Sequence, residues 1–583
     1  MRRLVWLISF AAFAAGVNPD VNPDLYLAHV RYLASPELKG RATGSPELEK
    51  AAHYIAAQFR SFGLKPTELA FPVTLGAHLG RKNQLKFEEP GESRTLVAGK
   101  DFLPLSFSSS GELHSSVVFA GFGITDKKAN YDDYDGLDVT GKFVLILRHE
   151  PKENPHKEHV TFADKAVNAK MHGARGVILV NDADHHEQVQ DDIGKFAKSE
   201  GPANAGILFI RVKFDTAEGW MKAEGHDLRA VSKQIDQDGH PHSFALSKLS
   251  VDLSVDVRLQ TKTVHNVAAY LPGATDEYVV VGAHYDHLGL GDEHSLAPSQ
   301  IGTIHPGADD NASGTAGVIE LARWASKLPK QKRGILFLTF AGEELGLLGS
   351  EWYVNHPMLP LENAVAMINM DMIGRIRDGK IYLSGTGTGS TFPKLVDDVK
   401  PPAPLQIDMA EKAGYGSSDH TSFTTKSVPV LFFFSGLHAD YHKPSDTADK
   451  IDSADAAKLL DYIADLITHL ENDPRPQFLR VAEPVGPVGS GGGSGYGPNF
   501  GSIPDFNEPP KGVRFADVRD GTPAAKAGLK AGDILIEFDG KEIGNLYDFT
   551  YALRAHKPGD LVLVKVLRGD RTIEAKVLLT ERR

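Results

Sequence analysis

Apolar residues recur along this chain with two different periods, and the points where one period gives way to the other outline its architecture. Near-continuous apolar runs at 278–284, 334–340, 365–371 and 428–434 are rich in Val, Ile, Leu and Phe and only about seven residues long. Such runs predict strands buried on both faces, as in a mostly parallel sheet sandwiched by helices. Residues 313–326 and 454–470 space their apolar positions as helices do. Earlier, Ser45 and Pro46 read as the N-cap and first residue of a helix whose Ala52, Ile55, Ala56 and Phe59 share one face and which Gly63 can end. From 106 to 245 the texture shifts to short β-like runs, 116–121, 143–147 and 176–180, with one helical stretch at 163–172. This predicts a β-rich domain inserted into the α/β one. After 484 the chain is dominated by Gly, Pro and Ser, which predicts a flexible linker to 510 that lets a last module move independently. Period-two runs at 560–567 and 572–579, with helical stretches at 523–529 and 546–555, make 511–583 a small α+β unit.

Composition narrows the functional classes. The 63 Lys plus Arg against 76 Asp plus Glu give a net charge of -13, which argues against a general nucleic-acid binder. Met1-Arg2-Arg3 followed by the apolar stretch 4–15 reads as a signal peptide ending near residue 16, so the expected location is secreted or periplasmic. That stretch is well short of the ~20 residues of a spanning helix, and no later segment is long and apolar enough. With Cys 0, neither disulfides nor thiolate chemistry is available to the chain.

Chemistry concentrates at strand ends. The run 278–284 delivers His284, and a strand's period of two puts His284 and Asp286 on one face, where the carboxylate can orient the imidazole. Asp309-Asp310-Asn311 leads into a helix, where an N-cap accounts for one carboxylate but not for two. Glu343-Glu344 follows the run 334–340, and adjacent glutamates at a sheet end repel unless a cation or proton lies between them. Asn369-Met370-Asp371 and Tyr441-His442 complete the set. Imidazoles and carboxylates without sulfur suit a pair of zinc ions.

The series His284-Tyr285-Asp286, Gly307-Ala308-Asp309-Asp310-Asn311-Ala312-Ser313-Gly314, Glu343-Glu344-Leu345-Gly346-Leu347-Leu348-Gly349-Ser350, Asn369-Met370-Asp371 and Tyr441-His442-Lys443-Pro444-Ser445-Asp446-Thr447 resembles the co-catalytic dizinc exopeptidase family. That family includes secreted bacterial aminopeptidases, vacuolar aminopeptidase Y and glutamate carboxypeptidase. The resemblance covers about 26–105 and 261–470. It implies that Asp310 bridges two zinc ions, that His284 and Asp371 complete one site and Glu344 and His442 the other. It also implies that Glu343 is the general base acting on a water shared by the metals, and that Tyr441 steadies the oxyanion. Gly416-Ser417-Ser418-Asp419-His420 has no accompanying G-x-S-x-G elbow, which argues against a serine hydrolase; Asp419 and His420 are expected near the cleft without a chemical role. Gly385-Thr386-Gly387-Thr388-Gly389 lacks nucleotide-fingerprint spacing and reads as a loop.

Two accessory modules also carry resemblances. The stretches at 138–145, 162–169 and 173–180 resemble a protease-associated (PA) domain, which in this family caps the substrate cleft or mediates contacts; Asp184-His185-His186-Glu187 within it reads as a solvated loop. The tail, with Thr522-Pro523-Ala524-Ala525-Lys526-Ala527-Gly528-Leu529, is similar to bacterial PDZ domains. That resemblance implies capture of a peptide or protein C-terminus at Gly512, Val513, Arg514 and Phe515 by β-augmentation. The expected order is therefore a signal peptide (1–16), a peptidase domain in two parts (24–105 and 261–472) around a PA domain (106–245), a linker (484–510) and a PDZ-like domain (511–583). The expected activity is removal of N-terminal residues from peptides. A glutamate-type carboxypeptidase is the alternative, for which only Arg375 offers a nearby carboxylate anchor. A non-catalytic receptor on the same fold would be marked by lost ligands, and none is lost here.

Overall fold

In a computed structural model, which describes residues 21–127, 129–152, 161–182, 193–196, 203–291, 294–481, 497–505, 509 and 511–581, the four apolar runs become neighbours in one sheet. The signal peptide expected at 1–16, the loop 184–187 and most of the 484–510 segment lie outside the described residues. The chain divides into two compact units, residues 1–69 with 265–480, and residues 70–264 with 481–583.

The first unit is built on an eight-stranded sheet. Its order is Pro66–Leu79, Val257–Leu271, Gly334–Phe340, Tyr278–His284, Ala364–Asp371, Val430–Phe434, Lys380–Ser384 and Gln406–Asp408. The third to sixth strands of that order run parallel, as their apolar character requires, and antiparallel strands flank them. Every residue of Tyr278–His284 and Gly334–Phe340 is buried. Val280, Leu336, Leu338 and Met367 meet Tyr353, Val354 and Phe423 from helices Leu348–Asn355 and His420–Thr425. Helices Gly314–Ala325 and Ser453–Asn472 pack against Tyr278–His284 as well. The helix announced by Ser45 runs from Pro46 to Ser61, with the Ser45 side chain accepting from the Leu48 amide.

The second unit corrects two boundaries. Strands Gln84–Glu89, Glu92–Val97 and Phe102–Pro104 fall within the first peptidase segment expected at 24–105, yet they belong to a separate eight-stranded sheet, where Gln84–Glu89 pairs with Glu92–Val97 and Phe244–Val255, and Phe102–Pro104 with Leu208–Val212. The inserted region is therefore longer at both ends than 106–245. Its edge strand Glu92–Val97 is polar and exposed and Phe102–Pro104 is only three residues long, so nothing local marks either as part of this sheet. The third sheet also starts earlier than residue 511. Phe500 sits in its core, and Ser502–Pro504 forms its outermost strand. No helix among the described residues is long and apolar enough to cross a membrane.

Candidate metal centre

Parallel strands bring their carboxyl ends to one edge of a sheet, and here that edge gathers the acidic and imidazole clusters. His284 is the last residue of its strand and pairs in register with Phe340, so the turn holding Glu343 and Glu344 begins beside it. Asp371 ends the strand on the other side. Asp310 arrives from the segment Ala308–Ser313 that opens helix Gly314–Ala325, and the Asp310–Asn311 peptide is cis.

Two triads result, His284, Asp310, Asp371 and His287, Asp310, Glu344, each offering ligand atoms within 4.8 Å of one another. Asp310 is common to both. Its Oδ1 lies 3.4 Å from His284 Nε2 and its Oδ2 3.2 Å from His442 Nε2. His284 Nε2 is 3.3 Å from Asp371 Oδ1, and His442 Nε2 is 3.2 Å from Glu344 Oε2. Burial would raise the Asp310 carboxyl, but His284 and His442 against it win and hold it well below the usual range. Glu344, with burial and Asp310 opposing, is held down to about 2 by His287 and His442. His442 is pushed up to about 11 by Asp310 and Glu344 in spite of its burial. The cluster thus carries more carboxylates than imidazoles in a site nearly closed to solvent. Nitrogen and oxygen donors alone, a carboxylate common to both triads and a buried His442 Nε2 that faces Asp310 and Glu344 without a hydrogen bond all fit a pair of divalent cations.

Glu343 stands beside both triads, its Oε2 3.9 Å from His284 Nε2 and its side chain only 11% exposed. Burial, opposed by His284 and reinforced by Glu344, pushes its carboxyl well above the ordinary value. The Tyr441 ring stacks on His442 with centroids 3.9 Å apart, and burial together with Asp310 and Glu344 raises its phenol. Asp286 is less intimate with His284 than a strand's period suggests. Its Oδ1 is 3.7 Å from His284 Nδ1, whose hydrogen-bonding neighbour is the Asp286 carbonyl at 3.3 Å. The Asp286 carboxylate instead accepts from the Glu343 amide and the Thr43 hydroxyl, so it fixes the turn that carries Glu343. Asp419 is buried behind Asp371 and raised to about 7 by that burial. His420 stacks on Phe432, with burial lowering it to about 3, which makes it a packing group.

Sequence reasoning missed several supporting residues. His287, three positions past His284, places Nδ1 2.7 Å from Glu344 Oε1; its closeness to the strand end was an available signal. Gly307, at φ +58, is required there, since a Cβ would lie 2.5 Å from the His287 ring. Asp446 accepts from the Asp309 and Asp310 amides. Arg41 is fully buried and donates to the carbonyls of Leu33, Tyr285, Pro306, Gly307 and Asp310, thereby tying three loops together. Nothing local in its sequence announces that role. Ser418 donates to Asp371 Oδ2 at 2.8 Å and accepts from Asn369 Nδ2. Ser418→Ala is expected to weaken cation binding at the Asp371 site by about 10–100-fold without unfolding the chain, measured by competition with a chelator.

The peptide edge expected at 512–515 is not available. Val513–Val518 is an inner strand between Ser502–Pro504 and Ile534–Phe538, the Gly512 amide donates to the Gly544 carbonyl, and Val513 and Phe515 are buried. Arg514 pairs with Ile534, and its carbonyl accepts from the Asp505 amide. Among the described residues the open edge on this side of the sheet is Ser502–Pro504.

Residues 266–467 match the model of peptidase family M28, 111–219 that of the PA domain and 497–579 that of the PDZ domain. A probable leucine aminopeptidase of Arthroderma otae is 31% identical over 199 residues, which are 32% of this chain and 53% of that protein. Aminopeptidase YwaD of Bacillus subtilis is 25% identical over 394 residues, 65% of this chain and 71% of the relative. Among solved structures, an aminopeptidase from Aneurinibacillus sp. strain AM-1 is 23% identical, covering 81% of this chain and 98% of that one with a TM-score of 0.47. The chain thus carries a peptidase family M28 domain, together with a PA domain and a PDZ domain.

Proposed function

We propose that this chain is an exported two-zinc aminopeptidase that removes N-terminal residues from peptides. One observation carries the reading: two buried ligand triads share Asp310, and an unligated glutamate, Glu343, stands beside them. The relatives named as aminopeptidases support it. His284, Asp310 and Asp371 would hold one zinc ion, and Asp310, Glu344 and His442 the other, with His287 bracing Glu344. Bound zinc supplies Lewis acidity for the scissile carbonyl and for the attacking water. Glu343 takes a proton from that water and returns it to the departing amine. Tyr441, whose ring lies on His442, donates its phenol hydrogen to the carbonyl oxygen as that oxygen gains charge.

Selection of the amino end over the carboxyl end rests on Arg375. Its Nη1 donates to Asp440 Oδ2 at 2.6 Å, so the guanidinium that would anchor a terminal carboxylate is already engaged. Export rests on the leader at 1–16, and peptide capture by the PDZ domain on the open strand Ser502–Pro504. The test is hydrolysis of a panel of aminoacyl chromogenic substrates, with their N-acetylated counterparts as controls. Expected are chelator-sensitive release from free-amine substrates and none from blocked ones. Release that ignores the chelator, or cleavage only ahead of a free carboxyl terminus, would overturn the reading.

A further inference from the structure

Within the second unit, the PA and PDZ domains meet through two helices whose charges match end for end. Lys170, in the last turn of helix Phe162–Met171, places Nζ 2.6 Å from Asp548 Oδ2, in the first turn of helix Leu546–Arg554. At the other end Arg554 Nη2 lies 2.6 Å from Asp164 Oδ1, in the first turn of Phe162–Met171. The helices therefore pair antiparallel, with each acid at a helix N-terminus and each base at a C-terminus, where the macrodipoles favour them. The contact is packed as well as charged. The Asp548 side chain is fully buried, Tyr551 is enclosed between the two pairs, and Met171 packs on the core of the PDZ domain. Two hydrogen bonds frame the contact, Lys541 Nζ to the Met171 carbonyl and Asn545 Nδ2 to the Asn204 carbonyl.

We propose that helix Phe162–Met171 is a docking seat for the PDZ domain of the same chain, pinned by Lys170, so that the PA and PDZ domains move as one body. The composition of 484–510 alone predicts the opposite, a module that swings freely on its tether. Magnitudes favour the docked form. PA and PDZ belong to one chain, so their encounter is intramolecular, at an effective concentration that a tether sets at up to roughly mM, and an interface with a dissociation constant well below that value stays closed. Two part-buried ion pairs whose acids are enclosed, around an aromatic contact, meet that modest requirement, and reversing one charge in the docked form would leave the Asp548 carboxylate buried against a like charge. Docking also reaches the open strand edge. Phe549 of the docked helix packs on Phe500 with centroids 5.2 Å apart, two residues before Ser502–Pro504. The helix that PA immobilises is therefore the one supporting the loop into the peptide-accepting edge. The pair presents that edge in one orientation to the PA surface.

The chain has Cys 0, so two introduced cysteines are its only labelling sites. Ala245→Cys in the PA sheet and Thr572→Cys in the PDZ sheet are both exposed. Spin labels on the pair report their separation by pulsed electron resonance in the full-length protein. A single narrow distance distribution is expected, retained with Lys170→Arg and broadened severalfold in width with Lys170→Glu. If Lys170→Glu loses its circular dichroism, Arg554→Glu, which opposes Asp164 from the PDZ side, is read in its place with the same expectation. A broad distribution in the otherwise unsubstituted protein, or an unchanged narrow one in the folded charge-reversal variant, would overturn the proposal.

Discussion

Glu343→Gln is expected to lower kcat by roughly 10²–10⁴-fold while leaving two zinc ions bound. The substitution keeps size and shape, so packing around a side chain that is 11% exposed barely changes. It removes the one property the proposed role requires, a carboxylate that alternates between accepting and donating a proton. The nearest imidazole nitrogen is 3.9 Å away, and the Glu343 amide is held by Asp286, so the backbone of the turn stays in place. Steady-state kinetics and metal analysis on the same preparation decide the matter. A fall in zinc content alongside activity would make Glu343 a ligand, and a kcat within a few-fold of the parent would remove it from the mechanism.

Asp310→Ala is expected to be more severe, abolishing detectable turnover and both equivalents of metal together. Asp310 belongs to both triads, one oxygen facing His284 and the other His442, whereas Asp371 and Glu344 each belong to one. The comparison is therefore with Asp371→Ala, which should forfeit one equivalent and keep the other. Elemental analysis of dialysed protein separates these outcomes. Retention of one full equivalent in Asp310→Ala would show that the two sites do not depend on a shared carboxylate.

The residues that sequence reasoning could reach are those whose chemistry is written locally. His284, Glu343, Glu344 and Asp371 each sit at or just past the end of an apolar run, and strand ends are where an α/β sheet exposes its side chains. Asp310 was legible through the acidic pair ahead of a helix. Residues that act on these from a distance were not legible. Thr43 reaches Asp286 across 243 positions, and Ser418 reaches Asp371 across 47. Neither residue type carries a pattern until the fold supplies its partner. The same limit moved the PA boundaries, because strands such as Glu92–Val97 are exposed and polar and take their identity from pairing with Gln84–Glu89. In the PDZ domain the motif was legible but the sheet order was not. Gly512 to Phe515 looks like an edge from sequence, yet Ser502–Pro504 lies outside it.

Arg41 gives the site an order of birth. Its guanidinium is made early, yet four of the five carbonyls it grips belong to residues 285, 306, 307 and 310. The nearest of those four lies 244 positions further along the chain. Between them the strands from Gln84 to Val255 collapse on a sheet of their own. The arginine meanwhile waits hydrated, and only when the later loops close over it does it trade water for five carbonyl oxygens. A cation site built on Asp310 would therefore be complete only once the segments before and after the inserted domain have closed on Arg41.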